Sequence, residues 1–400
     1  MTSIPKTIKQ FNAGRNPDIL PLKYKAMHAD AFVFYRGSCH LFYEQLLTDS
    51  CLRQSPLTWV CGDMHLENFG CYKADNGLVY MAINDFDESV LAPGLFDVSR
   101  LLASIFLAKN SLKIEEATAK QLSKRFLKVY VEALLSGRAE LVDDRLAHGV
   151  MQDFLLDIET RKRCDFVKAR TVKTDDQVRL LIDNKKTFKI KDSLKKQISK
   201  AVAKWAKTQA NPDFYRVLDV SGRIAGTGSL GIDRYLLLVN GNGQNNHYLL
   251  DMKTASPSCL TAFSAVPQPA WNNEAQRITE VQKRIQTYPT LLLNVMEFDK
   301  KSFVIKELQA WADKINLASF KGKIDKLTTV IDTYAKLIAW SQLRSSGRDN
   351  SASVDEWIAF ANNAAQWKQP LLAESRFYAE LTEKNYQKFC KAYDKGYFNV

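Results

Sequence analysis

Residues 57–87 alternate short apolar runs with loops of acid, amide and glycine, and this order restricts the fold more than any other stretch. Leu57-Thr-Trp-Val is strand-like and opens into Cys61-Gly-Asp-Met-His-Leu-Glu-Asn68. Gly77-Leu-Val-Tyr-Met-Ala-Ile83 is a second such run and opens into Asn84-Asp-Phe-Asp87. Short β-branched, aromatic and aliphatic runs bounded by polar turns read as strands. Carboxylates therefore collect where strands end.

Asp63 and Asn68 stand in the pattern D-x-x-x-x-N, and Asp85-Phe86 follows after the second strand. In kinases and their small-molecule relatives, the first pattern supplies the residue that orients the attacking hydroxyl and a magnesium-binding amide. The D-F pair supplies the main magnesium carboxylate. By that resemblance Asp63 accepts the acceptor's proton, and Asn68 and Asp85 are magnesium ligands. Asp87 is either a second metal ligand or a structural partner of the loop. His65 is read as a hydrogen-bonding brace of the loop, with an acid–base role as the alternative. Pro93-Gly-Leu-Phe-Asp97-Val-Ser-Arg100 resembles the aspartate-led helix of aminoglycoside and choline phosphotransferases, where that aspartate braces the catalytic loop.

A chain of 400 residues, 46% hydrophobic and 11% aromatic, can bury a large core and is expected to form two lobes. Its opening, Met1-Thr-Ser-Ile-Pro-Lys, lacks a basic-then-apolar secretory pattern, and no apolar run approaches the about 18 residues of a membrane helix. The expectation is a cytoplasmic protein. Seven cysteines, odd in number and without a C-x-x-C pair, argue against a disulfide framework or a four-cysteine zinc site.

The net charge of +12 is concentrated, since residues 160–210 hold 16 Lys or Arg against 5 Asp. Within that segment Leu194, Ile198, Val202 and Trp205 recur at helical spacing between Lys195, Lys196, Lys200, Lys204 and Lys207. This basic amphipathic helix is either a solvated face or a surface for an acidic or phosphorylated acceptor, an anionic membrane or nucleic acid, the last not favoured.

Pro5, Gly14, Pro17 and Pro21 suggest an extended N-terminal arm, followed by a helix from about Lys23 to Leu47. Arg36 in that helix is a structural cation or an anion-binding side chain. From Asp97 to about Ala210 the pattern is nearly all helical. It changes near Asp213, where the runs 214–220, 234–239 and 247–253 alternate with glycine clusters and read as an antiparallel sheet, continued by Ser302–Leu308 after a helix from Asn273 to Gln286. The expected division is a helical lobe with the catalytic loop over 1–212, a β-rich nucleotide-binding lobe over 213–310, and helices over 311–400 that complete the first lobe.

Gly226-Thr-Gly228-Ser229-Leu-Gly231 is a G-x-G-x-x-G match followed by a strand rather than a helix, which suits a kinase glycine loop and not a dinucleotide fold. Backbone N–H groups at Gly226, Gly228 and Gly231, with the Ser229 hydroxyl, would approach nucleotide phosphates. Lys253 takes the place of the phosphate-pairing lysine, with Glu280 as candidate ion-pair partner and Glu274 as a second candidate. The catalytic loop then precedes the nucleotide-binding sheet, the reverse of an ordinary kinase. The fold class is thus α+β, kinase-like and two-lobed, circularly permuted, with the Ile324–Ser346 helix expected to pack beside Asp63.

Tyr35-Arg-Gly37, the Cys61–Gly70 run, Asn84-Asp-Phe-Asp87, Ala225–Gly231, the Lys253 strand and Gln276-Arg277 together resemble the bacterial family called domain of unknown function 2252. That family is similar to the protein-kinase-like superfamily. The resemblance implies ATP and Mg²⁺ as the nucleotide and cation, and a hydroxyl-bearing small molecule or protein as acceptor. Rival classes are a nucleotide-binding module without activity, nucleotidyl transfer on the same fold, a two-metal phosphoesterase built on Gly62-Asp-Met-His65, and a zinc site from Cys61, His65 and Cys71. The phosphoesterase lacks further histidine modules, and the zinc site lacks a fourth ligand.

Overall fold

The computed structural model describes residues 3–174, 177–243 and 246–399; Met1 and Thr2 of the opening segment and the acidic pair Asp175-Asp176 lie outside them. It is a mixed α+β structure with fourteen α-helices and small antiparallel sheets among the described residues.

The N-terminal segment folds as α1 (Ile4–Phe11), α2 (Leu20–Met27), α3 (Ala31–Gly37) and α4 (Cys39–Glu44). The expected extended arm is therefore helical at its start. Pro5 sits in the first turn, where its missing N–H costs nothing, and Ile8 is buried against Phe389 and Phe398 from the far end of the chain. The single helix expected over 23–47 is broken into three. Asp30 caps α3 by accepting from the Val33 N–H at 2.8 Å, and the chain turns again at Ser38. α2 and α3 approach so closely at Gly37 that a Cβ there would lie 2.5 Å from Met27 Cγ.

Two short pairings carry the polar loops: β1 (Leu57–Val60) with β4 (Val90–Pro93), and between them the hairpin of β2 (Phe69–Lys73) and β3 (Val79–Ile83). α5 (Leu95–Leu107), α6 (Lys109–Leu112), α7 (Glu116–Leu135), α8 (Val150–Glu159) and α9 (Arg163–Lys168) follow. The segment expected to be nearly all helical also holds β5 (Thr171–Thr174), β6 (Gln177–Leu180) and β7 (Thr187–Phe188) before α10 (Asp192–Ala206). β7 is an edge strand of the main sheet.

That sheet is antiparallel throughout. With β8 (Val217–Arg223), β9 (Arg234–Val239), β10 (Tyr248–Thr254), β11 (Asn294–Phe298) and β12 (Lys301–Glu307), its order is β11-β12-β10-β9-β8-β7. Between β10 and β11 runs α11 (Glu274–Ile285), capped by Asn273 accepting from the Gln276 N–H. Strand period two gives the sheet distinct faces. Leu237, Leu250, Met252, Phe303 and Ile305 form the back, covered by Ile198 and Val202 of α10. The basic helix thus packs on the sheet, not among the other helices, and its exposed lysines point away from the opposite face.

α12 (Ile324–Arg344) lies along α7 and reaches β1 and β3, and α13 (Val354–Asn362) leads to α14 (Ala364–Asp394), which packs on α5. Tyr334 of α12 stacks on Phe69 with ring centroids 3.8 Å apart, and Ser345 meets Thr58 at 3.1 Å. The long helix therefore supports both ends of the Cys61–Asn68 loop. Among the described residues no helix is long and apolar enough to cross a membrane.

Candidate functional site

A cleft of about 430 Å³ lies between the polar loops and the front of the sheet, lined by Asp63, His65, Asn68, Asp85, Asp87 and Lys253 together with Gly226, Gly228 and Ser229. Residues nearly two hundred positions apart in sequence thus face each other. Gly231 does not line it; its φ of +87° turns the chain back into β9 behind the loop.

One face of α5 holds the loop in shape. Asp97 accepts from the Cys61 N–H at 2.8 Å and the Gly62 N–H at 3.0 Å. Arg100 donates to the Asp63 carboxylate, and the Ser104 hydroxyl accepts from the Leu66 N–H at 3.1 Å. The three positions are spaced three and four apart, which is one helical face. Only Asp97 was expected; the same spacing was present for Arg100 and Ser104. Gly62 is required here, since its φ is +84° and a Cβ would fall 2.3 Å from the Glu88 carbonyl oxygen.

Burial raises the proton affinity of Asp63, and the Arg100 guanidinium opposes that rise. Asp97 is pushed up to about 6 by burial, against the pull of the two N–H groups it accepts. His65 is buried and its Nδ1 accepts from the Glu67 N–H at 3.1 Å, while burial keeps the ring neutral. It acts as a brace. Asn68 directs its Nδ2 inward to the Asp63 carbonyl at 3.0 Å, which turns its amide oxygen away from the loop.

Lys253 forms an ion pair with Asp87 and lies 4.0 Å from Asp85, and the Ser229 hydroxyl donates to Asp87 at 3.3 Å. Burial raises the Asp87 carboxyl, but Lys253, Arg234 and Lys306 outweigh it and leave it below the usual range. The glutamates expected to pair with Lys253 do not. Glu280 pairs with Lys283 and Glu274 with Arg277, each three residues away on α11, where helical neighbours reach one another more easily than the cleft. α11 instead contacts the acidic loop through Arg277, which donates to the carbonyls of Asp87 (2.9 Å), Ser89 (2.5 Å) and Ser256 (2.9 Å).

Asp85 has a half-exposed side chain, 50% accessible, and with the Asn68 amide it offers hard oxygen donors to a cation. Among the described residues no group of three or more His, Cys, Asp or Glu gathers to hold a metal. Two protein oxygens suit an ion that completes its shell with water and phosphate.

Arg15 and Lys23 shape the site without a clear signal in the sequence, whereas Arg36 is singled out there as a structural or anion-binding cation. Arg15 donates to the carbonyls of Gly228 (2.7 Å) and Leu230 (2.8 Å), and buried Lys23 donates to Gly228 at 3.1 Å. Arg36 pairs with Glu67 at 2.7 Å at the cleft wall.

The family model described as "Uncharacterized protein conserved in bacteria (DUF2252)" matches residues 15–392. The chain belongs to this family. Neither a curated protein nor a solved structure matches it. The DUF2252 match encloses every residue of the cleft, from Arg36 to Lys314, and leaves α1 and the last residues outside.

Proposed function

We propose that this DUF2252 protein is an ATP-dependent, magnesium-assisted phosphotransferase with a kinase-like, circularly permuted two-lobe fold, which moves a phosphorus-centred group onto a hydroxyl-bearing acceptor. The observation that carries the reading is the meeting of Lys253, from the sheet, with Asp85 and Asp87, from the loops, in a cleft roofed by the glycine hairpin. Asp85 and Asn68 would hold magnesium, with Asp87 close by, and the ion would neutralise phosphate charge. Asp63 stands ready as proton acceptor: burial favours its protonated form, and Arg100 fixes its orientation. Backbone N–H groups of Gly226 and Gly228 and the Ser229 hydroxyl would position the nucleotide. Such catalysis rests on placement and charge, both of which α5 and α11 enforce.

The test is thermal unfolding with and without ATP and magnesium, in the wild type and in Asp85→Asn. Asp85 is the substitution of choice because its exposed carboxylate bears little of the fold, whereas changing Asp63 strands the buried Arg100. A ligand at a hundredfold its Kd stabilises by about 2.7 kcal/mol. The expected result is a magnesium-dependent rise in Tm that Asp85→Asn abolishes. Identical curves for the folded wild type with and without the pair would overturn the reading.

A further inference from the structure

The Asn84–Ser89 loop, which carries Asp85 and Asp87, is gripped along its backbone from one helix. Arg277 of α11 is 3% exposed and does not line the cleft. The five N–H donors of its guanidinium meet five acceptors: the Glu274 carboxylate, the carbonyls of Asp87, Ser89 and Ser256, and the Ser89 hydroxyl. No donor is left for a ligand. Ser256 follows Lys253 closely in the chain, so one guanidinium spans the segment that carries the lysine and the loop that carries the carboxylates. The Glu88 carbonyl, between the two that Arg277 holds, accepts from the Ser258 hydroxyl at 2.9 Å. At the far end of α11, Gln286 donates to the Ile83 carbonyl at 3.1 Å, immediately before the loop begins. Both ends of the loop are therefore held.

α11 is itself tied on every side. Its apolar face, Ala275, Ile278, Val281 and Ile285, is buried in the same core as Leu91 of β4 and Leu327 of α12. Its first turn is joined to the sheet, where the Ala275 N–H donates to the Ser302 hydroxyl at 3.3 Å. Its last carbonyl, that of Ile285, accepts from Arg344 of α12 at 2.6 Å. Swinging the helix outward would strand buried carbonyls and wet that apolar face. In kinases the helix beside the strand lysine is set by a glutamate that pairs with the lysine, and its placement controls activity. Here the glutamates of α11 pair on their own helix, and an arginine grips the backbone instead.

We propose that Arg277 is a positioning residue: through it α11, a fixed crosspiece between the sheet and the helical core, sets Lys253 against Asp85 before any ligand arrives. This rests on the reading of the cleft as a site for magnesium and ATP. Hydrogen bonds from a guanidinium are charge-assisted and its planar fork is rigid, so the carbonyls it holds keep one arrangement. Asp85 is two residues from the nearer of them. Changing a group that orients metal-bearing side chains costs about ten- to a hundredfold in metal affinity. The loss is therefore expected in magnesium binding, although Arg277 touches neither the ion nor the nucleotide.

Thermal unfolding of the full chain at fixed ATP, titrated with magnesium, gives the magnesium concentration at half of the Tm rise. Arg277→Met is expected to raise that midpoint about ten- to a hundredfold, and Arg277→Lys, whose ammonium has three donors for the five acceptors, by less. A merely structural loss would lower the starting Tm of either variant and leave the midpoint in place. Wild-type midpoints in both variants overturn the proposal and leave the reading of the cleft intact, whereas a wild type that does not respond to magnesium and ATP defeats both. Amide exchange of the wild type decides the matter should neither variant fold. Residues 279–285 of α11 and 99–106 of α5 are expected to exchange at comparable rates in the free protein and to slow by the same factor when magnesium and ATP are added. A slowing at least tenfold greater in α11 than in α5 would mean that the ligand sets the helix, and overturns the proposal.

Discussion

Asp97 offers a test of how the Cys61–Asn68 loop is held. Its carboxylate is 4% exposed and accepts two backbone N–H groups, yet burial dominates and pushes its pKa up to about 6. An acid whose pKa is raised on folding binds protons more tightly in the folded state. It therefore contributes stability that is full at low pH and is lost as pH rises through its folded pKa. With an unfolded value of about 3.9, linkage makes the loss between pH 5 and pH 7.5 about 1.4 kcal/mol, a factor of ten in the unfolding equilibrium. Asp97→Asn cannot titrate. It also accepts only one of the two N–H groups through its oxygen and faces the other with its own NH₂, which costs about 1–3 kcal/mol. Urea unfolding of both proteins at the two pH values separates these effects. The wild type is expected to lose about 1.4 kcal/mol more than the variant on going from pH 5 to 7.5, on top of a pH-independent offset. Parallel pH dependences would show that Asp97 is not titrating in that window and that the balance of burial against hydrogen bonding was misjudged.

Arg100→Met leaves Asp63 buried without its counter-charge and empties the position over the Tyr35 ring, 4.2 Å from the guanidinium; a loss of about 3–5 kcal/mol in urea unfolding is expected. Gly62→Ala places a methyl against the Glu88 carbonyl at a left-handed φ, so a loss of at least about 1–3 kcal/mol, read as lowered Tm, is expected. Arg15→Ala releases the carbonyls of Gly228 and Leu230, and amide exchange over residues 226–231 should quicken about tenfold or more, with residues 61–68 unchanged. Equal exchange over both segments would show that Arg15 does not pin the hairpin.

Local pattern determined a good deal here. The period-two alternation of Leu250-Asp251-Met252-Lys253 and of Phe303 to Lys306 is legible in one dimension, and it marks both strands and their faces. The same holds for the Asn273 cap of α11, for the apolar stripes of α11 and α12, and for the glycine hairpin whose next element is a strand. Proximity in space was not legible. Residue spacing gave Lys253 a choice of glutamates on the next helix, but side chains three apart on that helix satisfied each other, and the lysine closed on Asp87 from a loop 166 positions earlier. The N-terminal prolines suggested an extended arm because the buried partners of Ile8 lie at the opposite terminus. The basic helix showed its apolar stripe in the sequence, yet only the packing decided that the stripe covers the back of the sheet. Periodicity is set by each residue's own backbone and neighbours, whereas ion pairs and helix placement are set by competition among distant groups for the same buried space.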